Sequence, residues 1–151
     1  MTGSQQHYST LDALRSVGAR YALGADTRDA DLFVSAFAPD GVLETYRGGQ
    51  PGRTFRGHDE LGKVPGRLGH YTRTHHMLGQ QEFEVRDDAS AATGYVYCTA
   101  RHLTRGADGT GGTDLVMVVL YNDEYVPAGD GRWVLQHRKV NIEWTETTAA
   151  D

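Results

Sequence analysis

The 151-residue chain has one cysteine, Cys98, and four prolines. A single cysteine rules out an internal disulfide and any metal site built on paired cysteines. No stretch approaches the roughly 18 apolar residues a membrane helix needs. There is no excess of positive charge: acidic residues outnumber basic ones and the net charge is −5. A nucleic-acid partner, which favours a basic face, is therefore not expected. The opening Met1–His7 has neither a basic start nor an apolar run, so a leader segment is not expected and a cytoplasmic location is.

What is present describes a globular protein. Hydrophobic residues make up 38% and charged residues 23%, and the length suits one domain spanning residues 1–151. Ser9 and Thr10 precede an apolar stripe of Leu11, Leu14, Val17, Gly18, Tyr21 and Ala22 at helical spacing, with Gly24 near its end and Asp26 just beyond. A short second helix follows, capped by Asp29 or Asp31, and broken by Pro39-Asp40-Gly41. Val42–Tyr46 reads as a strand and Arg47–Arg56 as a glycine-rich loop. A poorer helix starts at Gly57 and is interrupted at Pro65-Gly66.

Strands are expected at Thr72–Gln80, Glu82–Arg86, Ala91–Arg105, Asp114–Tyr125 and Arg132–Trp144. Short turns between them imply an antiparallel meander, and the tail from Thr145 reads as frayed. Helices first and strands after is the α+β order. A curved sheet wrapped over helices, with a pocket between, is the expected architecture.

The stretch Thr72-Arg73-Thr74-His75-His76-Met77-Leu78-Gly79 holds the chemistry. Strand neighbours face opposite ways, so only one histidine of the pair faces inward. His76 shares its face with Thr74, Leu78 and Gln80, and His75 turns outward. An imidazole takes and returns protons near neutrality, and a buried carboxylate would orient it. Asp26 is the candidate partner; its other reading is a helix cap. Gly94, Val96, Cys98, Ala100 and His102 line one strand face with small side chains that could border a cavity. The histidines make no convincing metal cluster. Gly106–Gly112 lacks the Lys-Ser/Thr of a phosphate loop, and Asp123-Glu124 read as solvated.

These residues carry a resemblance. Tyr21-Ala-Leu-Gly-Ala-Asp26-Thr-Arg-Asp29-Ala-Asp-Leu-Phe33, Phe37-Ala-Pro-Asp40, His76 before Val85 and Asp87-Asp88, and Gly131-Arg-Trp133 leading to Arg138-Lys-Val140 resemble SnoaL-like domains. These belong to the nuclear transport factor 2-like superfamily of α+β cones. Within it the scytalone dehydratases are most similar. The resemblance implies a catalytic Asp26 and His76, with His102 as proton donor and Tyr46 binding a carbonyl. It implies a wall drawn from Tyr21, Cys98, Val119, Tyr121 and Trp144. A second pocket tyrosine of those enzymes falls at Ala25, and their serine and asparagine fall near Val119 and Tyr121, so the substrate cage differs.

The implied activity is a cofactor-independent, metal-free dehydration of a hydroxy-ketone or polyketide-like small molecule. A cyclase or isomerase of secondary metabolism stands as the alternative, and beyond it a non-catalytic ligand binder or a dioxygenase β-like subunit. The architecture also implies a homo-oligomer, dimer or trimer.

Overall fold

The computed structural model describes residues 3–151, with side chains from residue 9 onward. Met1 and Thr2, part of the stretch read above for a leader, lie outside the described residues. Helix α1 runs over Gly3–Thr27 and α2 over Ala30–Val34. Strands β1 (Phe37–Arg47) and β2 (Gln50–Arg56) form a hairpin. Short helices α3 (Gly57–Leu61) and α4 (Val64–Arg67) and a 3-10 turn at Leu68–His70 lead into four long strands. These are β3 (Arg73–Val85), β4 (Ala92–Arg105), β5 (Gly112–Pro127) and β6 (Trp133–Ala149).

The six strands form one sheet in the order β2-β1-β6-β5-β4-β3, open between β2 and β3. β3 to β6 are the expected antiparallel meander. The α+β expectation is met, but the sheet is mixed: β1 pairs with β6 in parallel. That crossover becomes possible because the chain between β1 and β6 is itself the rest of the sheet.

Helix α1 lies on the inner face. Leu14, Val17, Tyr21 and Ala25 are buried along it, at the spacing of one helical stripe. Gly18 allows the close approach: a Cβ there would sit 2.8 Å from Leu78 Cδ1 on β3.

Other boundaries differ from the sequence reading. α1 begins at Gly3 rather than at a Ser9 or Thr10 cap, because residues 4–8 contain no proline to stop the backbone ladder. Arg47–Arg56 is not a loop. Gly48 and Gly49, both at positive φ, make a tight turn that folds Gln50–Arg56 back onto β1. Pro65 does not interrupt a helix but sits in the first turn of α4, where its missing N–H costs nothing. Arg73–Val85 is one strand, not two, with a bulge between Leu78 and Gln81, which turns Gln81 rather than Gln80 inward. The tail from Thr145 is paired, Thr145–Ala149 against Thr113–Met117.

Asp123 is not solvated. Its register partner is Arg138, and both face the core. Asp123 is 3% exposed and Arg138 fully buried. Arg138 Nε and Nη2 donate to the two carboxylate oxygens at 2.8 and 2.7 Å, and the Tyr125 hydroxyl donates at 2.6 Å. The guanidinium lies between the rings of Tyr21 and Tyr121, 4.3 and 4.0 Å from their centroids. A buried charge pair needs such support, since desolvation opposes it.

Gly24 seats α2 against α1. A Cβ on Gly24 would lie 2.5 Å from the Phe33 backbone nitrogen. Gly24→Ala is expected to cost about 1–3 kcal/mol, read as a lower midpoint in thermal or denaturant unfolding. An unchanged midpoint would show that the α1–α2 contact gives way freely.

Candidate active site

The site is assembled where α1 ends against β3, the last strand of the sheet. α1 closes with Asp29 N–H donating to Gly24 C=O at 2.9 Å and Arg28 N–H donating to Ala25 C=O at 3.4 Å, the Schellman pattern. Arg28 occupies the left-handed position with φ +61°. Asp29 then caps α2, accepting from Leu32 N–H at 2.9 Å. Asp26 is thus inside the last helical turn, not beyond it. Its side chain leaves the helix toward β3 rather than capping anything.

There the carboxylate meets three donors. His76 Nδ1 lies 2.7 Å from Oδ1, the Thr74 hydroxyl donates to Oδ1 at 2.9 Å, and the His76 backbone N–H donates to Oδ2 at 2.8 Å. That N–H points away from β4, off the free edge of the sheet. Side-chain exposure is 9% for His76 and 19% for Asp26.

Burial pushes the Asp26 carboxyl up. The His76 ring, the His76 N–H, the His76 charge and the Thr74 hydroxyl outweigh it and hold the group at about 2. A carboxylate at a helix C-terminus is disfavoured by the helix dipole, so these donors keep it ionised. With Nδ1 committed to Asp26, Nε2 of His76 remains for chemistry.

His102 stands edge-on to His76, ring centroids 5.7 Å apart, and Tyr71 packs on it at 4.7 Å. It is 4% exposed. Burial, and then the neighbouring His76 charge, lower its imidazole to about 4. His102 is therefore neutral at neutral pH, a hydrogen-bonding ring rather than a charged acid. Its Nδ1 has no hydrogen-bond partner among the described residues.

Tyr21 also stands edge-on to His76, at 6.3 Å, and to Tyr121, at 5.6 Å. Burial pushes the Tyr21 phenol up to about 12 and raises the Tyr121 phenol well above its ordinary value. Cys98 and Val119 are buried register partners on the same inner face.

These four wall candidates, Tyr21, Cys98, Val119 and Tyr121, are buried in the core and do not line the cleft beside Asp26 and His76, and two further candidates stand on the other face of the sheet. The Tyr46 hydroxyl donates to Glu44 Oε2 at 3.1 Å, and the same oxygen lies 3.1 Å from His137 Nε2. All three occupy the outer face, opposite buried Leu43. Trp144 is 55% exposed, paired with Val118 on that outer face. The bulge at Val118–Val119 passes the inward position to Val119 and Ile142, and Trp144 turns out. His75 is exposed, as its parity requires.

The sequence reading missed Arg28, Thr74 and Tyr71. Thr74 shares strand parity with His76 and was findable on that ground. Nothing in the sequence pattern marks Arg28.

An open cleft of about 820 Å³ is lined by Asp26, His76, Ala22, Arg28, Tyr71 and Thr74, among others. A cavity of about 720 Å³ at the Asp87–Asp88 turn touches none of these groups. Among the described residues, no group of three His, Cys, Asp or Glu side chains gathers as a metal site, and no helix is long and apolar enough to cross a membrane.

A family model described as a SnoaL-like domain matches residues 6–139. The chain belongs to the SnoaL-like domain family. No curated protein matches its sequence. Among solved structures, this SnoaL-like domain is similar to a hexachlorocyclohexane dehydrochlorinase, LinA type 2. The TM-score is 0.78 at 16% identity, over 99% of this chain and 95% of that one. A protein from Novosphingobium aromaticivorans provisionally named a scytalone dehydratase gives 0.76 at 17% identity, over 95% and 90%. Rv3472(D26N) of Mycobacterium tuberculosis, of unknown function, gives 0.75 at 20% identity, over 97% and 77%. At these identities the likeness is one of fold.

Two acid transitions are expected. His102 takes a proton at 6.5 when unfolded and at about 4 when folded. Stability is therefore full above pH 6.5 and falls as pH drops toward 4, by up to about 3 kcal/mol. Asp26 is ordinarily 3.8 and about 2 when folded. Its contribution, about 2 kcal/mol, is full above pH 3.8 and disappears as pH falls toward 2. Unfolding followed from pH 7 to pH 2 should show both losses, and His102→Asn should remove only the first. A first loss that survives His102→Asn would place it on another group.

Proposed function

We propose that this SnoaL-like domain is a cofactor-independent acid/base enzyme that eliminates water from a hydroxy-ketone or polyketide-like small molecule. The observation that carries the reading is the 2.7 Å contact of His76 Nδ1 with a carboxylate held ionised at the cleft. Such a pair makes Nε2 a base and stabilises the imidazolium that forms. Two enzyme names among the similar structures, a dehydrochlorinase and a dehydratase, both denote eliminations, which supports the same chemistry here.

In the proposed step, His76 Nε2 takes the proton beside the carbonyl. The C–H electron pair becomes the new C=C bond as the C–O bond at the next carbon breaks. The departing oxygen receives the proton from His76 and leaves as water, so the catalyst is restored. Neutral His102 hydrogen-bonds the substrate oxygen. Tyr46 has no part in this scheme, because its hydroxyl is spent on Glu44 on the far face.

Turnover of a panel of β-hydroxy ketones, followed by loss of water in mass spectra, tests the reading. His76→Ala and Asp26→Asn are expected to lower the rate by about 10²–10⁴-fold with the fold intact by circular dichroism. Tyr46→Phe should leave it unchanged. A mass-neutral product would move the reading to isomerisation or ring closure. Turnover indifferent to both dyad variants would overturn it, and tight binding without turnover would favour a ligand-binding role.

We also propose that copies associate through the sheet's outer face. Met77, Tyr95, Tyr97 and Trp144 are exposed there. Charges of both signs flank that patch, Glu82, Glu84 and Glu124 with Lys139 and His137 toward one end, and Arg73, His75 and Arg101 with Asp114 and Glu146 toward the other, so the exposed aromatic patch carries the proposal. Sedimentation should give a mass above the monomer that falls in Tyr97→Asp and Trp144→Asp. A monomeric wild type would exclude the interface.

A further inference from the structure

The left-handed residue that closes a Schellman motif is usually glycine, because a side chain is strained there. Here it is Arg28, at φ +61°. Strain of this kind persists when the side chain does something glycine could not.

The Arg28 guanidinium makes no ion pair with any described carboxylate. It is spent on neutral acceptors. Nη1 donates to Thr74 Oγ1 at 2.7 Å and to Ala25 C=O at 2.6 Å, with Asp26 C=O at 3.4 Å. Nη2 donates to Leu68 C=O at 2.9 Å. One side chain therefore ties together the end of α1, strand β3 and the turn that leads to Tyr71 over His102.

The consequence lies in the direction of the protons. Arg28 has donors and no acceptor. Thr74 Oγ1 must accept from it, and so has a single proton to give. That proton goes to Asp26 Oδ1. Oδ1 belongs to an ionised carboxylate, which only accepts, so His76 Nδ1 must carry the hydrogen between them. The lone pair of His76 is left on Nε2.

From this geometry we infer that Arg28 is a positioning residue, which obliges the Thr74 hydroxyl to aim its proton at Asp26 and so helps to hold that carboxylate ionised against His76. Without the guanidinium, nothing obliges the Thr74 hydroxyl to accept on that side, its proton is free to turn away, and Asp26 loses a donor. While Asp26 stays ionised it still takes the Nδ1–H of His76. The inference rests on the Asp26–His76 pair being the working centre, but it concerns the resting state and is read without substrate. The other groups that bear on Asp26 are His102 and Cys98 on β4, and none of the variants below alters them.

The test is nuclear magnetic resonance of the whole chain. The Asp26 carboxyl carbon is titrated, and the His76 ring nitrogens report the tautomer. Thr74→Val removes the hydroxyl and Thr74→Ser keeps it. Arg28→Gly removes the guanidinium and relieves the left-handed strain, so the backbone position alone is improved. Thr74→Val and Arg28→Gly are both expected to raise the Asp26 midpoint from about 2 toward 3.8, with the His76 hydrogen still on Nδ1 at neutral pH because the carboxylate remains ionised there. Thr74→Ser should resemble the wild type. Arg28→Lys keeps the charge but cannot bridge Thr74, Ala25 and Leu68 at once, and should behave as Arg28→Gly does.

A wild-type Asp26 titration in Arg28→Gly would overturn the role of Arg28. The same result in Arg28→Lys would show that charge alone suffices and would overturn the steering of the hydroxyl. No change in Thr74→Val would overturn the relay altogether. None of these readings depends on an elimination being found, so the relay and the proposed reaction fail separately.

Discussion

Everything at this site depends on one carboxylate meeting the free edge of a sheet. β3 ends the strand order, so its outward N–H groups have no neighbouring strand. Asp26 reaches that edge from the end of α1 and accepts the His76 N–H with one oxygen. Its other oxygen takes the ring of the same residue and the Thr74 hydroxyl. Backbone and side chain of His76 are thus gripped by the same group, which fixes the ring more firmly than a side-chain contact alone would. The dyad and the docking of helix on sheet are one interaction seen from two sides.

Beneath it sits a different kind of electrostatic device. Arg138 and Asp123 form a pair with no exposure, walled by Tyr21 and Tyr121. Tyr21 has two neighbours of opposite character, the arginine and the edge of the His76 ring. The buried Arg138–Asp123 ion pair and the Asp26–His76 dyad are therefore separated by one aromatic ring. The deeper one is locked and structural. The shallower one opens on a cleft and keeps one imidazole nitrogen uncommitted.

Much of this was legible in the chain. Strand parity told His76 from His75 and put Cys98 and His102 on one face, and the helical stripe placed α1 on the core. Asp26 was a candidate from its place past the helix stripe, but its pairing rested largely on the resemblance, since an aspartate near a helix end is ordinarily a cap. What stayed hidden shares a cause: it is set by partners distant in sequence. The parallel β1–β6 pairing, the pairing of Thr145–Ala149 and the burial of Asp123 all depend on which strand lies alongside. Gln80 was misplaced because a bulge in β3 breaks the alternation that the reading relies on, and another bulge turns Trp144 away from the wall that the resemblance implied. Arg28 at a glycine position is invisible to any propensity argument, because its reason is Thr74, far along the chain.

The edge contact has a bearing on solubility. An unpaired strand edge is a template on which another chain can add. Asp26 occupies one of its donors, and α1 lies alongside. The residue that would run the chemistry also keeps the sheet from growing. A descendant that had lost every trace of activity would still gain from an acceptor at this position. An aspartate here in a relative therefore testifies to a guarded edge as much as to a working enzyme.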